Sequence, residues 1–200
     1  MLALKEPIRA STVARVESQP RQVLEKLLLL PAQVLFLELV IDPLCSVAFE
    51  AEPPEADSMA RPPRDSRQPM FGAGLVALSA LQGIVALVGV WIVYLWASAQ
   101  QASTEATRSA VFAAMVLVSL ALVVNCRSRQ AGLENALGRR NPSLAIVALA
   151  TLIGLALVFG VPVMREWFRF ASLTPAALGV AAAASMAAMF VNEMVKRVWR

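Results

Sequence analysis

Two acidic residues, Glu38 and Asp42, lie within an apolar stretch of the chain. Because they are four positions apart, both carboxylates lie on one face of a helix. Pro43 follows directly; it donates no hydrogen bond to the carbonyl of Leu39 and disfavours helical dihedral angles at Asp42. Carboxylates beside a free carbonyl oxygen suit hard cations, such as Ca²⁺, Na⁺, K⁺ or protons. We therefore predict that Glu38, Asp42 and the backbone carbonyl of Leu39 bind a cation.

A carboxylate at the centre of a bilayer costs at least about 2.5–3.5 kcal/mol, so two of them require a cation, a proton or a buried partner. The alternative interpretation is that one or both are protonated and only donate hydrogen bonds to neighbouring helices. Intramembrane acids are more often functional than structural, which favours the cation site.

Composition places the elements that carry these residues in a membrane. Hydrophobic residues make up 58% of the 200 residues and charged residues 16%, against about 25% in soluble domains. The chain has no histidine, which excludes His-based zinc sites and Ser-His-Asp triads. Two cysteines, Cys45 and Cys126, are predicted to be packing residues. We expect neither a resident cofactor nor a nucleic-acid partner.

The hydropathy pattern predicts an all-α membrane protein, a polytopic bundle of about five transmembrane helices. The polar segment 1–26 precedes the first span. The predicted spans are about 27–49, 71–97, 109–126, 143–164 and 174–195. The last span is rich in Ala and Gly, which favours close packing against other helices in lipid.

Basic residues in the loops predict the orientation, because cytoplasmic loops collect Lys and Arg. Ten lie on the side of the C-terminus and three on the opposite side. We therefore expect an integral protein of the plasma (inner) membrane with a cytoplasmic C-terminus. Residues 1–26 carry five basic residues, although five spans would place that segment outside. Because of this conflict, we expect that residues 1–26 are not the segment that naturally precedes the first span.

The stretch from residue 27 to residue 71 resembles a known family. The residues that carry the resemblance are Pro31 and Gln33, the LELVIDP run, Glu52-Pro53-Pro54-Glu55 and Arg61-Pro62-Pro63-Arg64. It looks like the sixth membrane helix and following cytoplasmic loop of P-type cation-transporting ATPases. Asn125, Asn141-Pro142 and Asn192-Glu193-Met194-Val195-Lys196 resemble that family's last four helices. The resemblance covers about residues 27–200.

The resemblance implies that Glu38 and Asp42 occupy cation-coordinating positions of the sixth helix. It also implies contacts from Arg61 and Arg64 to phosphate headgroups or to carboxylates of a neighbouring domain. Three positions depart from the calcium-pump pattern, namely Glu38 for Asn, Ile41 for Thr and Pro43 for Gly, so the resemblance leaves the ion undetermined.

The family's phosphorylated aspartate motif and nucleotide-binding domain have no counterpart in these residues. We therefore expect no ATP hydrolysis from the chain alone. The expected partners are the lipid bilayer and the remaining domains or helices of a P-type ATPase. Two alternatives stay open: an inert truncated pump remnant, or an oligomeric channel or carrier lined by Glu38 and Asp42.

Overall fold

A computed structural model describes residues 31–38, 46–47, 50–51, 72–126 and 142–198. These residues form helices, with no strand among them. In chain order the helices are α1 (Pro31–Phe36), α2 (Ala73–Ala99), α3 (Thr104–Cys126), α4 (Pro142–Gly160), α5 (Pro162–Phe168) and α6 (Pro175–Val198).

Local sequence explains where several of these helices begin. The side chain of Ser103 precedes α3 and accepts a hydrogen bond from the N–H of Ala106 at 3.2 Å. Thr174 does the same for Ala177 at the start of α6, also at 3.2 Å. Four helices begin with a proline, which lacks the N–H that a first turn leaves unpaired. These prolines are Pro31, Pro142, Pro162 and Pro175.

Helix α3 is the central element, and it packs against α2, α4 and α6. Small residues let α3, α2 and α6 approach closely, as is usual between helices in lipid. The contact includes Ala110 and Ala114 of α3 and Ala181 of α6, which are at most 1% exposed. At Gly89 of α2, an added Cβ would lie 3.6 Å from the carbonyl oxygen of Ala184. The three helices therefore form a tight bundle.

Four of the described helices, α2, α3, α4 and α6, are long and apolar enough to cross a membrane. Their outward faces carry large apolar side chains, which suits a lipid environment and not water. On α4 these are Ile146, Leu149, Leu152, Ile153 and Leu157. The predicted all-α membrane bundle is confirmed for the part of the chain described here.

The helix bounds differ in detail from the predicted spans. The fourth predicted span ran through 143–164, but α4 ends at Gly160, and the extended backbone of Val161 separates it from α5. Pro162 explains the break, because a proline disfavours helical geometry in the residue before it. The first predicted span, about 27–49, lies mostly outside the described residues, so it stays a prediction.

One packing prediction is wrong. Cys126, expected to be a packing residue, is an exposed free cysteine at the end of α3. The neighbouring Asn125 faces the bundle and is 2% exposed. Successive residues of an α-helix are about 100° apart around its axis, so Cys126 is turned away from that buried face. Cys45 lies outside the described residues.

Candidate cation site and buried polar network

The short helix α1 is held against α5 by a buried glutamine. Gln33 is 0% exposed and donates from Nε2 to the carbonyl oxygen of Phe168 at 2.8 Å. Phe168 is the last residue of α5, so its carbonyl has no further turn of helix to bond to. A side-chain amide from α1 satisfies this carbonyl and fixes the start of α1 beside the end of α5.

A cluster of aromatic rings holds the next turn of α1. The Phe36 ring lies 5.8 Å from the ring of Phe112 and 5.8 Å, edge to face, from that of Phe168. Phe112 in turn packs 4.8 Å from Phe170. On α4, a Cβ added at Gly154 would lie 3.4 Å from Phe36 Cζ, so the missing side chain leaves room for the ring. Helices α3, α4 and α5 thus position Phe36.

Glu38 follows this anchored turn directly. Residues 37 and 38 continue the helix with π-type geometry, a local widening that is frequent at functional sites. Glu38 is exposed among the described residues. Among the described residues, no group of three or more His, Cys, Asp or Glu could hold a metal ion.

The other predicted site residues fall outside the described part of the chain. These are Leu39, Asp42, Arg61 and Arg64. Their roles, and the pairing of Asp42 with Glu38, therefore stay predictions. The structure does place Glu38 directly after a helical turn that is fixed by Gln33 and Phe36.

A second polar site is buried between α2, α3 and α6, with Asn125 at its centre. The Asn125 side chain accepts from Gln82 Nε2 at 3.4 Å and donates from Nδ2 to the carbonyl oxygen of Met189 at 3.2 Å. Its backbone carbonyl accepts a 2.6 Å hydrogen bond from Lys196 Nζ. One residue of α3 is therefore bonded to both α2 and α6.

Lys196 brings a buried charge into this network. Its ammonium nitrogen lies 3.1 Å from Glu193 Oε2, and the two side chains are 9% and 7% exposed. The other carboxylate oxygen of Glu193 lies 3.6 Å from Nε of Arg197, whose side chain is 56% exposed. Because Lys196 also bonds the carbonyl of Asn125 near the end of α3, it places positive charge where the helix dipole is negative.

Sequence reasoning missed this network as a site. Asn125 and the segment from Asn192 to Lys196 carried only the family resemblance, and no role was predicted for Gln82. The available signal was a polar residue inside an apolar run, since Gln82 interrupts the span of α2. Asn192 belongs to the same stretch of α6; it is 1% exposed, and its amide bonds to no described group.

Comparison with known proteins agrees with this architecture. Residues 26–198 match the family described as "Cation transporting ATPase, C-terminus". The chain is 29% identical over 155 residues to the "Calcium-transporting ATPase" of Bacillus subtilis, an alignment that covers 74% of this chain and 16% of that protein. It is also 29% identical over 174 residues to "Calcium-transporting ATPase lmo0841" of Listeria monocytogenes, covering 83% of this chain and 19% of that protein.

The apolar helices and the matched region define an integral membrane protein of the class of cation-transporting ATPase C-terminal regions. The chain belongs to the family of cation-transporting ATPase C-terminal regions, which confirms the resemblance found in the sequence. It spans less than a fifth of the length of the two calcium-transporting relatives.

Proposed function

We propose that this chain supplies the C-terminal membrane part of an ATP-driven calcium pump. Two lines support the proposal: the chain belongs to a cation-transporting family, and two of its relatives are named calcium-transporting ATPases. In this proposal Glu38, Asp42 and the backbone carbonyl of Leu39 are ligands of the transported Ca²⁺. The remaining oxygen ligands come from other helices of the pump, because Ca²⁺ takes six to eight of them.

The observation that carries the proposal is the placement of Glu38. Gln33 and Phe36 fix the helix that leads to it, and the carboxylate itself is exposed. A fixed backbone with an available carboxylate is suited to binding, since little order is lost when the ion arrives. Asp42 follows at the helical spacing that shares a face with Glu38.

The proposal extends to the loop and to orientation. Arg61 and Arg64 bind carboxylates or phosphates at the membrane surface or on a neighbouring pump domain, for which a guanidinium is well suited. The loop that contains them and the C-terminus face the cytoplasm of a plasma (inner) membrane, as the excess of basic residues indicates.

Equilibrium binding of radioactive Ca²⁺ to a chimeric pump tests the ligand assignment. In the chimera, residues 26–198 replace the matching C-terminal region of the Bacillus subtilis calcium-transporting ATPase. Glu38→Gln and Asp42→Asn each keep the side-chain shape and remove one charge. Each is expected to weaken Ca²⁺ binding by about 1–3 kcal/mol, which is the scale of hydrogen bonds and contacts to charged groups.

The matched control is Glu50→Gln, which makes the same carboxylate-to-amide change at another exposed position. It is expected to leave the Ca²⁺ affinity unchanged. Wild-type affinity in both Glu38→Gln and Asp42→Asn would refute the assignment. A loss in Asp42→Asn alone would leave Asp42 as the ligand and make Glu38 a protonated helix-packing residue.

A further inference from the structure

A polar cavity of about 510 Å³ lies at the end of the bundle opposite the Asn125 network. It opens where α3 begins and α5 ends. Two basic and two acidic side chains line it, together with a hydroxyl group. These residues are Glu105, Arg165, Glu166, Arg169 and Ser172. The formal charges balance, so the lining suits a ligand that carries both signs.

The lining side chains do not neutralise one another. Within the described residues, no hydrogen bond or ion pair joins either arginine to either glutamate of the cavity. Arg165 Nε is buried and has no hydrogen-bond partner in the described chain. An orphaned buried donor is costly and calls for an explanation, such as a ligand acceptor. Two guanidinium groups and two carboxylates are therefore available to a ligand.

The wall of the cavity is fixed before any ligand binds. Ser109 of α3 accepts a hydrogen bond from the N–H of Ala171 at 3.0 Å and donates to the carbonyl oxygen of Glu105 at 2.8 Å. Arg169 adopts a left-handed backbone, φ 50°, although it is not a glycine. The hydrogen bond from the N–H of Phe170 to the carbonyl of Arg165, 2.9 Å, closes this turn. Such strained positions are concentrated at functional sites.

The cavity lies beside a surface suited to lipid. On α5, Trp167 is 70% exposed and Val163 is 51% exposed. Tryptophan is enriched at the level of lipid headgroups, and α5 directly follows the membrane-spanning α4. An acyl chain can contact these apolar side chains while its headgroup reaches the charged lining. The location favours a lipid over a ligand dissolved in water.

We propose that this cavity binds the headgroup of a zwitterionic phospholipid that carries a primary ammonium, as in phosphatidylethanolamine. The phosphate accepts hydrogen bonds from Arg165 and Arg169, and the ammonium donates to Glu105 and Glu166. An anionic headgroup without an ammonium leaves both carboxylates unpaired. A quaternary ammonium has no N–H to donate to them. Phosphatidylglycerol and phosphatidylcholine therefore bind more weakly.

Native mass spectrometry of the full chain in detergent tests the proposal. The probes are palmitoyl-oleoyl phosphatidylethanolamine, phosphatidylglycerol and phosphatidylcholine at equal concentrations. The ethanolamine lipid is expected to bind about tenfold more tightly than either of the others, the equivalent of about 1.4 kcal/mol. Arg165→Gln and Glu166→Gln are each expected to reduce this binding about tenfold. Arg197→Gln makes the same charge change at the other end of the bundle and should have no effect.

Equal binding of the three lipids would overturn the proposal, as would full selectivity in both cavity variants. Competition with inorganic phosphate identifies the source of the phosphate group. Displacement of the lipid by millimolar phosphate would show a site for a free anion and contradict a lipid site. Glu166→Gln changes an exposed side chain, so it tests the proposal even if Arg165→Gln does not fold.

Discussion

Replacing Lys196 with methionine removes the ammonium group from the Asn125 network and keeps an apolar side chain of similar length. The variant loses the 2.6 Å hydrogen bond to the Asn125 carbonyl and the 3.1 Å ion pair with Glu193. Glu193 then holds a negative charge on a side chain that is 7% exposed. Breaking a buried ion pair in this way costs about 3–5 kcal/mol.

The expected cost lies at the lower end of that range. Arg197 stays 3.6 Å from the second carboxylate oxygen of Glu193 and compensates part of the charge. We therefore expect Lys196→Met to lower the free energy of unfolding by about 3 kcal/mol. Glu193→Gln is expected to cost about 2 kcal/mol, because Lys196 retains the Asn125 carbonyl as a partner. The double variant carries neither buried charge and should cost only about 2 kcal/mol, because the Asn125 carbonyl still loses its donor.

Unfolding in mixed micelles with increasing sodium dodecyl sulfate measures these values, with the chain's four tryptophans as the fluorescence signal. The two single costs exceed the cost of the double variant by about 3 kcal/mol, which is the expected coupling energy between Lys196 and Glu193. The control is Arg197→Met, whose exposed side chain should contribute less than about 1 kcal/mol. Additive single costs, or wild-type stability in Lys196→Met, would refute the reasoning.

Three further predictions use the same bundle. Gly89→Ala should change the free energy of unfolding by less than about 1 kcal/mol, because the added methyl meets only ordinary contacts of 3.6–3.8 Å. Gly89→Leu should cost about 1–3 kcal/mol, because the larger side chain separates α2 from α6. Equal stability of the two variants would contradict this prediction. Phe112→Ala should cost about 3–5 kcal/mol in the same unfolding assay, since Phe112 is 0% exposed; a loss below 1 kcal/mol would exclude it as a core residue. Single cysteines introduced at Ser66 and Ser172 should react with an impermeant thiol reagent from opposite sides of the membrane. Reaction of both cysteines from the same side would contradict the five-span topology.

The sequence predicts the helices well because their causes are local. Apolar runs of about 20 residues predict membrane spans, and proline at the first helical position is recognisable without tertiary information. Helix α3 begins at Thr104, whereas the apolar pattern alone suggested a start near residue 109. The Ser103 cap accounts for the earlier start, since it stabilises a first turn that contains the charged Glu105.

The buried contacts depend on tertiary structure and were not predictable in the same way. Phe36 and Phe170 belong to one aromatic cluster through Phe112, although 134 positions separate them in the sequence. From the distribution of basic residues alone, Lys196 is predicted to be an exposed residue of a cytoplasmic tail. Only the packing of α6 on α3 shows that its ammonium is buried against the Asn125 carbonyl. For the proposed cation site, residue types and spacing predicted Glu38 and Asp42, and the structure adds the anchoring of the turn before Glu38.

ATP-driven uptake of radioactive Ca²⁺ into inside-out vesicles that contain the chimeric pump tests the central claim most directly. The account predicts uptake by the chimera with wild-type residues 26–198, loss of at least about fivefold in apparent Ca²⁺ affinity in Asp42→Asn, and unchanged uptake in the Glu50→Gln control. The claim that this chain coordinates the transported ion would be contradicted if uptake by Asp42→Asn and by Glu38→Gln matched that of the Glu50→Gln control at every Ca²⁺ concentration.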